Sequence, residues 1–242
     1  MESGIVEFKT RIATFKCYKN DDAFFNALIR GYSYEEDIIV HFLVKYFINA
    51  NVILDIGGHI GSHSILYSIL NKNATIHVFE PQQKIYDLLT DNININNCSN
   101  IKHYNCAVGH SNINCNMSAM VLDGYNHKVE YGTDNKLNLG GLQLGLDGES
   151  VNMITIDSLN LEDCNFIKID VEGAENLVIN GALNTIKKYH PTIFFECTDK
   201  LLNNETISIL NGNNIKSSVE QLEELNYKIL NVDKHNKIAI YN

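Results

Sequence analysis

Hydrophobic positions along this chain switch repeatedly between helical and strand spacing, and the switches mark out alternating helices and strands. Residues 1–33 carry weak, mixed patterns, with one helix expected across Asp21 to Arg30. From Tyr34 to Ile48, the apolar positions Ile38, Phe42 and Tyr46 recur at helical spacing behind an acidic first turn of Glu35, Glu36 and Asp37. The period then changes. Asn51 to Gly57 is a short β-rich apolar run, the pattern of a buried parallel strand. Ser62 to Leu70 reads as a helix and Ala74 to Glu80 as a second strand. Pro81 opens another helix, where its missing N–H costs nothing. Ile101 to Val108 reads as a third strand.

Gly109 to Ser150 interrupts the rhythm, being rich in Gly, Asn, Asp and Ser with little periodicity. A stretch of about forty residues without strong elements is long for a compact domain, so a hairpin plus an active-site cover is expected there. Order returns with strands at Val151 to Ile156 and Phe166 to Asp170, a helix from Gly173 to Tyr189, and a strand from Thr192 to Cys197. A short helix at Ser217 to Leu225 precedes a closing hairpin of Tyr227 to Val232 and Lys237 to Tyr241. Strands alternating with helices imply an α/β fold: one doubly wound, mostly parallel sheet with helices on both faces. No repeat and no domain boundary is visible, so residues 1–242 read as one domain with an N-terminal helical segment (1–50) and a variable insertion (109–150).

The composition of the 242 residues, 45% apolar and 20% charged, suffices for one α/β core. Its net charge of −10 disfavours sequence-independent nucleic-acid binding. Six cysteines without a CxxC pair point to buried thiols in a reducing compartment, not to a disulfide framework. The N-terminus lacks an apolar signal core, and the apolar run Ile38 to Leu54 is interrupted by His41, Lys45, Asn49 and Asn51. No membrane association and a cytoplasmic location are therefore expected. The 33 asparagines read as the base composition of an AT-rich genome, not as chemistry.

The chemistry begins at Asp55-Ile-Gly-Gly-His-Ile-Gly61, placed where ligands bind in open parallel sheets, beyond the carboxyl end of the first strand. Gly57 and Gly58 permit a turn that a Cβ would obstruct, and Gly61 allows close helix–strand contact. Glu80 ends the next strand, 25 positions after Asp55, where a carboxylate accepts hydrogen bonds from both hydroxyls of a ribose. A dinucleotide fingerprint wants glycines at relative positions 1, 3 and 6, whereas here they fall at 1, 2 and 5. Asp55 would oppose a pyrophosphate and favour a cationic ligand. S-adenosylmethionine, with its ammonium and sulfonium and no phosphate, fits that loop better than NAD.

Several stretches, in this order, resemble the FkbM family of methyltransferases. They are Asp55 to Ser64, Val78-Phe-Glu-Pro81, Asn105-Cys-Ala-Val-Gly109, Thr155-Ile-Asp-Ser158, Phe166-Ile-Lys-Ile-Asp-Val-Glu-Gly-Ala-Glu175 and Phe194-Phe-Glu196. The resemblance runs from about Tyr34 to Cys197. It implies a Rossmann-like class I methyltransferase fold with a seven-stranded sheet and a C-terminal antiparallel hairpin. It also implies methyl transfer from S-adenosylmethionine, usually to a hydroxyl of a sugar or natural product. The cofactor-binding set it suggests is Glu35, Asp55, Gly57, Gly58, His59, Gly61, Ser64, Glu80, Pro81 and Ala107. Family members often carry Ala-Asn where this chain has Gly58-His59, so His59 stands in place of an amide contact.

Lys168, Asp170 and Glu172 alternate at a strand end and point to one side if the strand persists that far. Charges there are expensive unless paired or functional. Either Lys168 and Asp170 form an ion pair that orders the sheet end, or Asp170 or Glu172 takes the proton from an acceptor hydroxyl. Asp170, Glu196 and Asp199 are a candidate oxygen-ligand set for Mg²⁺, as in catechol-type methyltransferases, although no metal is required. His59 and His63 lack an obvious third zinc ligand. Glu175 is explained by the helix dipole alone. Asn138-Leu-Gly-Gly141 is either a substrate approach or a plain turn. The expected partners are a small-molecule or glycan acceptor and at most a second copy of the chain. An NAD-linked oxidoreductase and an inactive binding module are the competing readings. The first is weakened by the glycine spacing and the absence of a Tyr-x-x-x-Lys pair, the second by intact Asp55, Glu80, Asp170 and Glu172.

Overall fold

The computed structural model describes residues 4–122, 128–130, 138–197, 202, 204–210 and 212–242. Its central sheet contains β1 (Val52–Ile56), β2 (Thr75–Phe79), β3 (Ile101–Tyr104), β4 (Phe166–Ile169), β5 (Thr192–Glu196), β6 (Tyr227–Asn231) and β7 (Asn236–Tyr241). Their order is β6-β7-β5-β4-β1-β2-β3, and β7 alone runs against the rest. This is the expected doubly wound α/β sheet with its terminal antiparallel hairpin. The β-branched and aromatic runs are buried on both faces, as parallel strands between helices require. Ile53, Phe166 and Phe194 enter one hydrophobic core with helices α1 (Ser62–Leu70) and α2 (Gln83–Ile95). Leu54, Ile167 and Phe195 enter the other with α3 (Glu175–Asn180), α4 (Leu183–Tyr189) and α5 (Ser218–Glu224).

Several elements differ from the sequence expectation. The strand read across 101–108 divides after Tyr104, and Ala107–Val108 joins a second sheet instead. That sheet has the order Leu144–Gly145, Ile113–Met117, Ser150–Ile154, Ala107–Val108, so the strand expected at 151–156 belongs here rather than to the main sheet. The insertion thus carries more regular structure than its composition suggested. The single helix read over 173–189 is two. Gly181 sits at the break, where a Cβ would come within 1.9 Å of Gly109 O, and its carbonyl accepts from Asp157 N. Asp157 then caps α4, accepting from Asn184 N and Thr185 N at 3.0 and 2.8 Å.

Ahead of β1, the N-terminal segment expected to be helical over 1–50 opens instead with a hairpin (Ile5–Lys9 with Thr14–Tyr18), in the part where the sequence pattern is weak and mixed. The helix Asp22–Ile29 follows, and the helical run over 36–47 contains a π turn at Ile39–Leu43. Asparagines do structural work at these joints. Asn92 of α2 and Asn96 at its C-cap each give and accept hydrogen bonds with the backbone of the second hairpin strand, at Lys16 and Thr14, completing an edge that lacks a strand partner. The six cysteines are free thiols. Among the described residues no helix is long and apolar enough to cross a membrane.

Candidate active site

The carboxyl ends of β1, β2, β4 and β5 lie level, with Ile169 opposite both Ile56 and Phe195, and Ile56 opposite Phe79. A cavity of about 430 Å³ opens beyond this edge. Its floor is the loop after β1. Gly57 has φ +80°, and a Cβ there would stand 1.8 Å from Asp170 O, so no other residue fits between β1 and the end of β4. The N–H groups of Gly57 and Gly58 both donate to Phe79 O, at 3.0 and 2.9 Å, fixing the loop to the end of β2.

Glu80 lies just past β2 and is buried. It accepts from His59 N at 3.0 Å and Gln82 N at 2.9 Å. Burial pushes its carboxyl up to about 7, against the pull of those two N–H groups and of Lys168. His59 has a left-handed backbone (φ 49°) and stacks on Phe24 at 4.1 Å. Burial, then Lys168, lowers its imidazole to about 3, so the ring is neutral at physiological pH. His63 Nε2 lies 2.9 Å from Glu35 Oε2, and its Nδ1 is 3.0 Å from the Tyr67 hydroxyl. Burial works to raise the Glu35 carboxyl, but the His63 contact and Lys168 outweigh it and hold the group low.

Lys168 organises the other side. Its Nζ donates to Gly57 O at 2.7 Å and lies 3.4 Å from both Asp55 Oδ1 and Asp170 Oδ2. Burial alone would favour the neutral amine, yet Asp170, Asp55 and Glu35 drive its pKa upward. Asp55 is fully buried and accepts from the Ser64 hydroxyl. Beyond β4, Glu175 accepts from Val171 N and Gly173 N, each at 3.1 Å, and shapes the loop that carries Asp170 and Glu172. Glu172 has a left-handed backbone, φ 55°. Carboxylate oxygens of Asp170, Glu172 and Glu196 all lie within 4.8 Å of one another.

Most of the residues read from the sequence meet here. Glu35, Gly57, Gly58, His59, Glu80, Pro81, Ala107, Lys168, Asp170 and Glu172 line the cavity. Asp55, Gly61 and Ser64 are behind its wall: Asp55 and Ser64 hold each other beneath the loop, and Gly61 (φ +90°) faces Leu89. The strand ends at Ile169, so Asp170 and Glu172 converge through their loop rather than through strand alternation. In the proposed Mg²⁺ set, Asp199 lies outside the described residues, and Glu172 instead completes a trio with Asp170 and Glu196 close enough to share a cation. Sequence reasoning missed Phe24, Gln82 and the turn Asp233–Asn236 on the cavity wall. Only Gln82, next to the Phe-Glu-Pro run, had a local signal.

The cavity suits S-adenosylmethionine. Its glycine floor and buried Glu80 match a nucleoside, its lining is rich in carboxylates, and Lys168 is turned beneath the loop onto Gly57 O, away from any pyrophosphate. The family model described as the methyltransferase FkbM domain matches residues 55–229. The chain belongs to the FkbM methyltransferase family. This FkbM domain is accordingly an S-adenosylmethionine-dependent methyltransferase domain, as its motifs imply. Among curated proteins none matches the sequence.

Solved structures give low-identity likenesses. An FkbM methyltransferase from Methylobacillus flagellatus KT is 18% identical with a TM-score of 0.49, covering 79% of this chain and 44% of that one. The FkbM chain described here thus spans under half of that protein's length. An O-methyltransferase from Bacillus cereus in complex with SAH is 16% identical, with TM-score 0.46 and coverage of 92% and 87%. M. jannaschii TYW2 in complex with AdoMet is 11% identical, with TM-score 0.45 and coverage of 99% and 86%.

Glu80 offers a direct test of cofactor binding by this FkbM domain. If Glu80 accepts from the ribose hydroxyls, as the family motif implies, Glu80→Ala is expected to weaken S-adenosylhomocysteine binding by about 1.5–3 kcal/mol in calorimetric titration, two hydroxyls losing a charged acceptor. Because burial holds this carboxyl near 7, its ionised share grows as pH rises through neutrality. Affinity should therefore climb from about pH 6 to about pH 8, and Glu80→Gln should flatten that slope. Unchanged affinity in folded Glu80→Ala would place the ribose elsewhere.

Proposed function

We propose that this domain catalyses methyl transfer from S-adenosylmethionine to a hydroxyl oxygen of a sugar, free, nucleotide-linked or within a glycan. The observation that carries the reading is the convergence of Asp170, Glu172 and Glu196 at the cavity edge, beside the glycine loop and Glu80. Carboxylates accept hydrogen bonds from several hydroxyls at once and can remove a proton from one of them. The net charge of −10 disfavours a nucleic-acid acceptor.

In this reading Glu80 takes the ribose hydroxyls, the loop of Gly57, Gly58 and His59 underlies the nucleoside, and Pro81 and Ala107 flank it. S-adenosylmethionine supplies a methyl group already activated on a sulfonium. The protein's part is alignment and removal of one proton. Asp170 or Glu172 accepts that proton from the acceptor hydroxyl. Lys168 is a positioning residue: it fixes Asp170 relative to Gly57 and so links the base to the cofactor floor. Met117, Asn138, Gly140, Leu142 and Leu144 of the insertion line the cavity. They support a role for residues 109–150 as a cover that excludes water from the methyl group.

The test is methyl transfer from labelled cofactor to a panel of free sugars, nucleotide sugars, glycans, catechols and peptides. Incorporation into sugars is expected. Labelling confined to catechols or peptide nitrogens would overturn the acceptor class.

A further inference from the structure

Three aromatic rings run along one wall of the cavity. His59 of the glycine loop stacks on Phe24, and Phe24 lies against Tyr34 with ring centroids 4.5 Å apart. Phe24 and Tyr34 precede the family-matched residues 55–229, so two of the three rings are supplied from outside the matched range. Two imidazole–carboxylate contacts flank it, of which His63–Glu35 is a hydrogen bond. His59 Nε2 stands 3.3 Å from Asp21 Oδ2, and His63 Nε2 meets Glu35, the residue directly after Tyr34, which has a left-handed backbone (φ 56°). Tyr34 is thus rigidly placed without being buried away. It packs on Phe24, remains partly accessible and lines the cavity.

The stack has a direction. At the His59 end, the backbone N–H is bound by Glu80, the ribose carboxylate. Tyr34 lines the same cavity as the acid cluster of Asp170, Glu172 and Glu196. Burial, then Glu35, Asp170, Glu172 and Glu196, push the Tyr34 phenol up, so its hydroxyl keeps its proton and can act as a donor. An aromatic face carries partial negative charge and attracts the weakly positive C–H face of a sugar ring, while a hydroxyl beside it can fix the ring's rotation.

We propose that Tyr34 positions the acceptor, its ring serving as the platform for the C–H face of a sugar and its hydroxyl donating to a sugar oxygen next to the one that loses its proton. The inference rests on the sugar reading above and adds a specificity element from the N-terminal segment. Phe24 backs the platform and does not touch the acceptor.

The experiment compares Tyr34→Ala and Tyr34→Phe with the wild type. Acceptor KM and kcat are measured separately at saturating S-adenosylmethionine, and S-adenosylhomocysteine affinity is measured by calorimetry. Tyr34→Ala is expected to raise the sugar KM about tenfold or more. Tyr34→Phe keeps the platform and should recover most of that loss, leaving about a threefold deficit from the missing hydroxyl. Affinity for S-adenosylhomocysteine should be unchanged in both. An unaltered KM in Tyr34→Ala, with sugars methylated by the wild type, would remove the platform and leave the sugar reading standing. A parallel loss of S-adenosylhomocysteine affinity would reduce Tyr34 to a packing residue and overturn the proposal. A wild type that methylates no sugar overturns both.

Discussion

Replacing Lys168 with methionine is expected to lower the free energy of unfolding by about 3–5 kcal/mol, a large share of the stability of a single domain. The ammonium is the one cation within 4 Å of Asp55 among the described residues, and Asp55 is fully buried. Methionine fills similar volume but leaves that carboxylate with the Ser64 hydroxyl alone, and breaking a buried pair from one side exposes the full desolvation penalty of the other. It also frees Gly57 O, which Lys168 holds at 2.7 Å, and so loosens the loop proposed to underlie the cofactor. Urea denaturation checks the magnitude. A second variant, Lys168→Met with Asp55→Asn, separates charge from packing, because removing both charges should recover most of the loss. If the single variant lost less than about 1 kcal/mol, the buried pair would not be what holds β1 to β4.

The register behind that pair was only half legible in the sequence. Asp55 and Lys168 each stood out as charges in apolar strands, and each strand was read to within a residue or two of its observed limits. Their pairing is a property of the sheet order: β4 lies beside β1, which places Lys168 directly across from Asp55. From its own stretch, Asp55 looked like a ligand for a cationic group; with its neighbour present it is support beneath the loop. The same logic explains the misread elements. Nothing local in residues 101–108 signals that Ala107 and Val108 leave for another sheet, because the strand that captures them is Ser150–Ile154. The break at Gly181 likewise answers to Gly109, more than seventy residues earlier.

The site shows the same division. Residues whose chemistry is carried by local spacing, such as the glycines after β1, Glu80 after β2, and Asp170 and Glu172 after β4, were found where the sequence put them. Residues recruited by tertiary contact were not. Asp21 and Phe24 reach His59 across more than thirty positions, and the turn at Asp233–Asn236 reaches the cavity only because β7 pairs with β5. Glu35 was suggested by the family resemblance, yet its place, like that of Tyr34, depends on His63 and Phe24. The asparagines carried no periodic signal, although Asn92 and Asn96 complete the edge of the N-terminal hairpin.

The acid cluster makes the sharpest functional prediction. Asp170→Asn and Glu172→Gln each keep the size and hydrogen-bonding capacity of the side chain and remove its ability to take a proton. Whichever residue serves as base, its variant should lose about 10²–10⁴-fold in kcat while S-adenosylhomocysteine binds as before. The two differ in surroundings. Asp170 is tethered to Lys168 at 3.4 Å, so Asp170→Asn also leaves that ammonium with one carboxylate fewer. A modest loss of stability should accompany it. Glu172 sits instead on a left-handed backbone, beside Gly173 and Val171, whose N–H groups are both held by Glu175. Strained backbone of this kind persists where the surrounding structure enforces it and is concentrated at working sites. The double variant separates a shared from a divided role: a loss no larger than the worse single variant indicates one proton path, and multiplied losses indicate two independent contributions. Full activity in both single variants would show that neither carboxylate removes the proton.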